Sequence, residues 1–360
     1  MVRPVEIGGK AVALLRTDPA SFEGPGFVDA MVLPGRGMML LQARLRLPDG
    51  RLVDALAAPD LPQAATELAG GPDDFAGNAS FRFGGAILAP FANRIRGAPL
   101  LHAREVETDI GGLPTRLPRN WGGQAPGAEQ YAMHGLILAA PFEARADGPS
   151  AMSGRLDADD FAGHWPGKTR IDVAWRLEAG ALVLKVRATN VGDLAVPMGL
   201  GWHPYFALPS ADRAQARLSI PASSRVIVNN YDEVLPTGEL RAVAGTGHDL
   251  SEAGGRALGD LYLDDCYTRF DKSTNATMAE LRDPAAGLGL RIASPSPAAR
   301  ALQVYAPPSH DYVVLEPQFN LPNPFGPEWE GEDTGMVTLQ PGQSTDYDVS
   351  VTAFALPTAA

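Results

Sequence analysis

Two residues of this sequence join a proton-transfer side chain to a setting that would tune it. His203 lies in Gly199-Leu200-Gly201-Trp202-His203-Pro204-Tyr205-Phe206. Pro204 biases it to an extended backbone, Gly201 permits close approach, and Trp202, Tyr205 and Phe206 supply flat apolar faces that can pack on a ring. The cluster reads as a binding wall with an acid in it, although a single His in apolar surroundings is more often a satisfied core residue. Glu316 ends Tyr312-Val313-Val314-Leu315-Glu316-Pro317, and strand alternation puts it on the face of Val314 and Tyr312. If that face is inward, burial raises the carboxyl toward the pKa of a general base near neutrality. The alternative is a strand-end Glu facing water because Pro317 ends the ladder.

Three further clusters interrupt apolar context. Asn93-Arg94 follows Ala86-Ile87-Leu88-Ala89-Pro90-Phe91, which sets an amide and a guanidinium at the end of an apolar run. The planar donor fork of Arg suits hydroxyl or carboxylate oxygens in a pocket, and a structural ion pair is the competing reading. His134 sits between Tyr131-Ala132-Met133 and Gly135-Leu136-Ile137. Leu263-Asp264-Asp265-Cys266-Tyr267 carries adjacent carboxylates that face opposite ways on a strand, so only one can join a given pocket.

The common covalent and cofactor motifs lack local support. Gly163 stands one residue too near Gly167-Lys168-Thr169 for a phosphate-binding loop, and the segment that follows reads as a strand where a helix is required. No Gly-x-Ser-x-Gly elbow, His-Glu-x-x-His or dinucleotide fingerprint occurs. Cys266 is the single cysteine, which excludes an intrachain disulfide and a thiolate zinc site.

The elements that must position these residues are strands. Leu41, Ala43, Leu45 and Leu47 alternate with Gln42, Arg44 and Arg46, as a half-buried strand does. The pattern recurs in Ile171, Val173, Trp175 and Leu177, in Leu182, Leu184 and Val186, and in Tyr347, Val349, Val351 and Ala353. Glu178-Ala179-Gly180-Ala181 makes a hairpin between two of these strands. Helical stretches are few, with Leu61 to Leu68 behind Pro59-Asp60 the best. These features predict an all-β fold, a large antiparallel β-sandwich with few short helices. No linker composition or fixed repeat divides the 360 residues, so a single domain over 1–360 is expected. The Gly/Pro-rich stretches 70–77, 111–127 and 147–165 read as surface loops around a cleft.

Composition narrows the partners. There are 30 Lys+Arg against 42 Asp+Glu, a net charge of −12, which argues against nucleic acid. With 39 Gly and 32 Pro, turns are abundant. Glu6, Lys10 and Gly8-Gly9 break the apolar character of the first residues, and no uncharged apolar run approaches the ~20 residues that span a bilayer. A cytoplasmic protein without a membrane partner is expected.

Pro90-Phe91-Ala92-Asn93-Arg94-Ile95, His134-Gly135, His203-Pro204-Tyr205-Phe206, Asp264 and Glu316-Pro317, in this order and at comparable intervals, resemble the aldose 1-epimerases, or galactose mutarotases. The resemblance runs from about Leu33 to Phe354. Each motif is short, and the set in order on an all-β background carries the likeness. It implies the β-sandwich of the galactose mutarotase type, an isomerase without metal or cofactor, and a small-molecule monosaccharide as substrate, with a monomer or weak dimer expected. It further implies Glu316 as general base and His203 as general acid. His134 and Arg94 would hold ring or hydroxyl oxygens with Asn93 beside them, and Asp264 and Gln303 would bond sugar hydroxyls. The segment Gln318-Phe319-Asn320-Leu321-Pro322-Asn323-Pro324-Phe325-Gly326 departs from the Thr-containing stretch usual in galactose-active members, which leaves the choice of aldose open.

The implied reaction interconverts α and β anomers by acid/base ring opening and closure. The acidic balance suits a neutral sugar, since a phosphorylated one calls for more cations than Arg94. Two other classes use the same residues: a metal site of His134, His203 and Glu316, which Arg94 would oppose, and a non-catalytic carbohydrate-binding sandwich.

Overall fold

The computed structural model describes residues 6–100, 102–123, 125–273 and 275–357. The alternating segments form strands Met39–Arg46, Thr169–Glu178, Ala181–Asn190 and Ser344–Ala355. Glu178 pairs with Ala181 across a two-residue turn in which Ala179 (φ 46°) and Gly180 (φ 78°) adopt the left-handed backbone such a hairpin requires. The helix Leu61–Glu67 starts where expected, with the Asp60 carboxylate accepting from Gln63 N–H at 2.9 Å.

Two antiparallel sheets dominate, one of nine strands and one of eleven. Their facing sides share one core: Trp175, Leu184 and Val349 from the first, Trp202, Phe206, Leu302 and Leu315 from the second. Trp175 meets Trp202 edge-on at 5.5 Å between ring centres, and its indole N–H is satisfied by the Met38 carbonyl at 2.9 Å. Among the described residues no helix is long and apolar enough to cross a membrane.

Five neighbouring strands of the eleven-stranded sheet matter most: Leu263–Phe270, Ala301–Ala306, Tyr312–Gln318, Gly201–Ala207 and Gly85–Leu88. They are buried almost without alternation, because chain segments cover the side turned away from the sandwich core as well.

The expected loops are only partly loops. The stretch 111–127 contains strand Leu113–Pro118, paired with Glu105–Ile110, and Trp121–Gly122, paired with Gln130–Met133; Gln124 lies outside the described residues. The stretch 147–165 contains strand Ala151–Asp159, paired along Thr169–Glu178. Its period of two is present, with Ser153, Arg155, Asp157 and Asp159 on one face and Met152, Gly154, Leu156 and Ala158 on the other, but Gly154 and Ala158 leave the inward face with a faint apolar signal. Ladder bonds and the pairs Arg155–Asp172 (2.7 Å) and Arg170–Asp157 (2.6 Å) accompany the strand. The third stretch lies in short helical turns over Pro72–Phe81 that pack inward from Asn78 to Phe81.

Candidate active site

Sheet register alone brings the chemistry together. Residues directly opposite in neighbouring strands share a face. Asp264 pairs with Tyr305, Tyr305 with Val314, and Val314 with Tyr205, while Gln303 pairs with Glu316. With the period of two, Asp264, Gln303, Tyr305, Tyr312, Glu316, His203 and Tyr205 therefore occupy one side of the sheet. That side faces away from the sandwich core, where Trp202 and Phe206 are buried. The wall expected around His203 is corrected accordingly: alternation sends Trp202 and Phe206 into the core, and only Tyr205 stays beside the imidazole, stacked at 5.2 Å.

Segments outside these five strands close the side over. Phe81 ends the Pro72–Phe81 turns and sets its ring 4.8 Å from that of His134. His134 follows strand Gln130–Met133, which pairs with Arg94–Arg96. Asn93 (φ 61°) and His134 (φ 62°) both hold left-handed backbone, and the His134 N–H donates to the Asn93 carbonyl at 2.8 Å. Such conformations cost on the order of 1 kcal/mol each and cluster where side chains must be aimed. Gly135 (φ 82°) has no alternative, since a Cβ there would lie 2.3 Å from the Ala89 carbonyl oxygen.

The result is a cavity of about 450 Å³ lined by Arg94, His134, His203, Asp264, Gln303 and Glu316, with Tyr205, Tyr305 and Tyr312 among its walls. His203 Nε2 lies 3.2 Å from Glu316 Oε1, both side chains being buried. The His134 and His203 rings meet edge-on at 4.7 Å. Arg94 Nε, His134 Nδ1 and Glu316 Oε2 are buried polar atoms with no partner among the described residues, as groups awaiting a ligand are.

Asn93 is placed differently from the others. It is fully buried and does not line the cavity; its amide accepts from Arg94 (3.0 Å) and donates to Gln303 Oε1 (2.9 Å). Gln303 in turn donates to Asp264 Oδ1 at 2.7 Å. Asp265 points to the opposite side and binds Arg225 at 2.5 Å. The divergent segment after Glu316 does not line the cavity either. Asn320 clasps the Ala92 backbone, accepting from its N–H (3.0 Å) and donating to its carbonyl (2.9 Å). Asn323 accepts from Arg96 N–H at 2.8 Å, so this segment braces the arginine-bearing loop from behind.

Burial governs the charges. It pushes the Glu316 carboxyl well above the usual range, with Arg94 pulling it back and Asp264 adding to the rise. It pushes His203 down to about 3, with Arg94 adding to the fall, and His134 well below its ordinary value, helped by His203 and Arg94. Asp264 is raised to about 6, again by burial first. Ligand atoms of His134, His203 and Glu316 also lie within 4.8 Å of one another, a donor set that fits a divalent cation, with the Arg94 guanidinium in the same cavity.

Sequence reasoning missed Phe81 at the end of the Pro72–Phe81 turns, Trp121 on the short strand Trp121–Gly122, and Tyr231 and Asp232 in a turn, all of which line the cavity without a local signal. Tyr305 could have been found, being two residues from Gln303 on the same strand face.

The sequence profile of the family described as Aldose 1-epimerase matches residues 55–352. The chain belongs to the aldose 1-epimerase family. That match includes every residue of the cavity. Galactose mutarotase from Bos taurus is 28% identical over 207 residues, covering 56% of this chain and 55% of that protein; the one from Sus scrofa is 27% identical over 170 residues, 46% and 44%. The chain thus spans about half the length of the curated relatives it matches. Solved structures share the mutarotase fold at low identity. A galactose mutarotase-like protein from Clostridium acetobutylicum superposes with a TM-score of 0.74 at 17% identity, covering 96% of this chain and 99% of that one. The aldose epimerase homologue from C. elegans gives 0.72 at 20%, covering 96% and 100%.

Proposed function

We propose that this protein is an aldose 1-epimerase that interconverts the anomers of a neutral aldose, with Glu316 and His203 as the catalytic pair. The observation that carries the reading is the 3.2 Å approach of His203 Nε2 to Glu316 Oε1 at the wall of a sugar-sized cavity. Burial favours the neutral form of each, so the pair holds one proton in total. Moving that proton from carboxyl to imidazole gives the working form, a carboxylate and an imidazolium, with no change in net charge.

Glu316 then removes the anomeric hydroxyl proton while His203 protonates the ring oxygen. The C1–O5 bond breaks, C1 becomes an aldehyde, rotation about C1–C2 turns its other face inward, and the two transfers run in reverse. Each positioned transfer is worth about 10²- to 10⁴-fold. Arg94 and neutral His134 donate to sugar oxygens, and Asp264, oriented by Gln303, accepts from hydroxyls. Asn93 acts behind them as a positioning residue. Asp232 and Asp264 offset Arg82 and Arg94 at the cavity and the Glu316–His203 pair adds no net charge, which suits a neutral sugar better than a phosphorylated one.

Polarimetry of freshly dissolved α-glucose, α-galactose and α-xylose tests the assignment: at least one reaches anomeric equilibrium faster with protein, and acceleration of none would overturn it. The convergence of His134, His203 and Glu316 favours a metal-dependent sugar enzyme as the second reading. Activity surviving EDTA with no stoichiometric metal in the purified protein would remove it. A binding module without turnover would have no use for the matched acid and base.

A further inference from the structure

Among the described residues, the large aromatic side chains left exposed are Trp121 (41%), Tyr231 (41%) and Tyr262 (38%), and all three line this one cavity. Scattered exposed aromatics need no explanation, but their confinement to one mouth does. Trp121 is reached from the catalytic end through Phe81, whose ring lies 6.2 Å from His203 and 5.8 Å from Trp121. Tyr231 and Tyr262 meet edge-on at 5.4 Å on the side of Asp264.

The platform is built rather than incidental. The Tyr231 hydroxyl donates to both oxygens of Asp265 at 3.2 Å, and Asp265 is fully buried against Arg225 at 2.5 Å, with His248 at 3.6 Å. A buried ion pair thereby fixes the orientation of an exposed ring. The Tyr231 hydroxyl, pushed up to about 12 chiefly by burial and then by Asp265, stays protonated as the donor. Beyond Trp121 the surface continues into a second cavity of about 660 Å³, lined by Arg104, Arg119, Asn120 and Gln130 as well as by Trp121 itself. The amide N–H groups of Asn120 and Gln130 are spent on neighbouring protein oxygens, but the Arg104 and Arg119 guanidinium groups beside an aromatic face suit the hydroxyls and apolar faces of further pyranose rings.

We infer that the preferred substrate is the reducing end of a neutral oligosaccharide, its terminal aldose at His203 and Glu316 and its next ring stacked on the aromatic mouth formed by Trp121, Tyr231 and Tyr262. This rests on the epimerase reading of the same cavity. A free monosaccharide leaves those faces in water, whereas a second ring covers them.

The test compares kcat/KM for anomer exchange, by NMR, of glucose and xylose with that of cellobiose, maltose and xylobiose. At least one disaccharide exceeds its monosaccharide by about tenfold or more, the equivalent of ~1.4 kcal/mol of stacking. Trp121→Ala and Tyr262→Ala each lower the disaccharide value about tenfold more than the monosaccharide value. Disaccharides no better than monosaccharides, or variants that lower both alike, overturn this inference and leave the epimerase assignment standing. Acceleration of no sugar overturns both.

Discussion

Gln303 donates an amide N–H to Asp264 Oδ1 at 2.7 Å while its amide oxygen accepts from Asn93 at 2.9 Å, so one side chain ties a carboxylate of the cavity to the loop that carries Arg94. Replacing Gln303 by Leu leaves the buried Asn93 amide without its acceptor, a loss of about 1–3 kcal/mol. The expected outcome is a fall of about 10- to 100-fold in kcat/KM, expressed mainly in KM because the proposed proton-transfer pair, Glu316 and His203, is untouched. Steady-state kinetics on the variant checks the split.

Asp264 links function to stability. Its folded pKa of about 6 lies above the ordinary 3.8, so between these values the native state binds more protons than the unfolded one. Stability therefore falls as pH rises from about 4 to 6, and the deficit persists above. Asp264→Asn keeps an acceptor for Gln303 and removes the charge. It raises stability near pH 8 by at most about 3 kcal/mol, less the share of the carboxylate that still meets solvent. Denaturant unfolding at pH 5 and pH 8 should show the gain at pH 8, together with loss of activity.

Arg94 lowers the proton affinity of both Glu316 and His203. Without that cation each group holds its proton more tightly, so both limbs of the pH profile move to higher pH. Arg94→Met is expected to cost about 100-fold in kcat/KM at neutrality, with the optimum displaced to the alkaline side. Profiles between pH 4 and 10 decide it; a depressed but undisplaced profile would contradict the electrostatic role.

Asn320 tests the bracing of that arginine from the segment that departs from the family pattern. Asn320→Ala strands the Ala92 N–H and carbonyl, which costs about 2–5 kcal/mol of stability. Urea unfolding measures the loss, and kcat/KM should fall as well although Asn320 lies outside the cavity.

Much of this site was legible in the sequence because strand parity is local. The opposite facing of Asp264 and Asp265, and the shared face of Tyr312, Val314 and Glu316, follow from a period of two. The fate of Trp202 and Phe206 follows from the same rule, but their neighbourhood to His203 in the chain masked it. Which side of the sheet holds the site was not legible. In a sheet buried on both faces, Tyr312–Gln318 and Gly201–Ala207 lose the polar alternation that would mark the solvent side. Phe81, Trp121 and Tyr231 arrive from short helical turns, a two-residue strand and a turn whose positions depend on distant packing, such as the Tyr205 hydroxyl donating to the Phe81 carbonyl at 2.8 Å. Strand Ala151–Asp159 keeps the period of two, but Gly154 and Ala158 beside Met152 and Leu156 make its inward face faintly apolar, and the turn residues Gly148-Pro149 and Gly163 around it dominate the stretch.

The measurement that bears most directly on the paired roles of Glu316 and His203 is the rate of anomer exchange catalysed by Glu316→Gln, read by NMR on a sugar the wild type turns over. Turnover should fall by about 10³-fold while the sugar still binds, and adding His203→Asn should reduce it little further, because the two act as one unit. Turnover by Glu316→Gln at the wild-type rate would contradict the account.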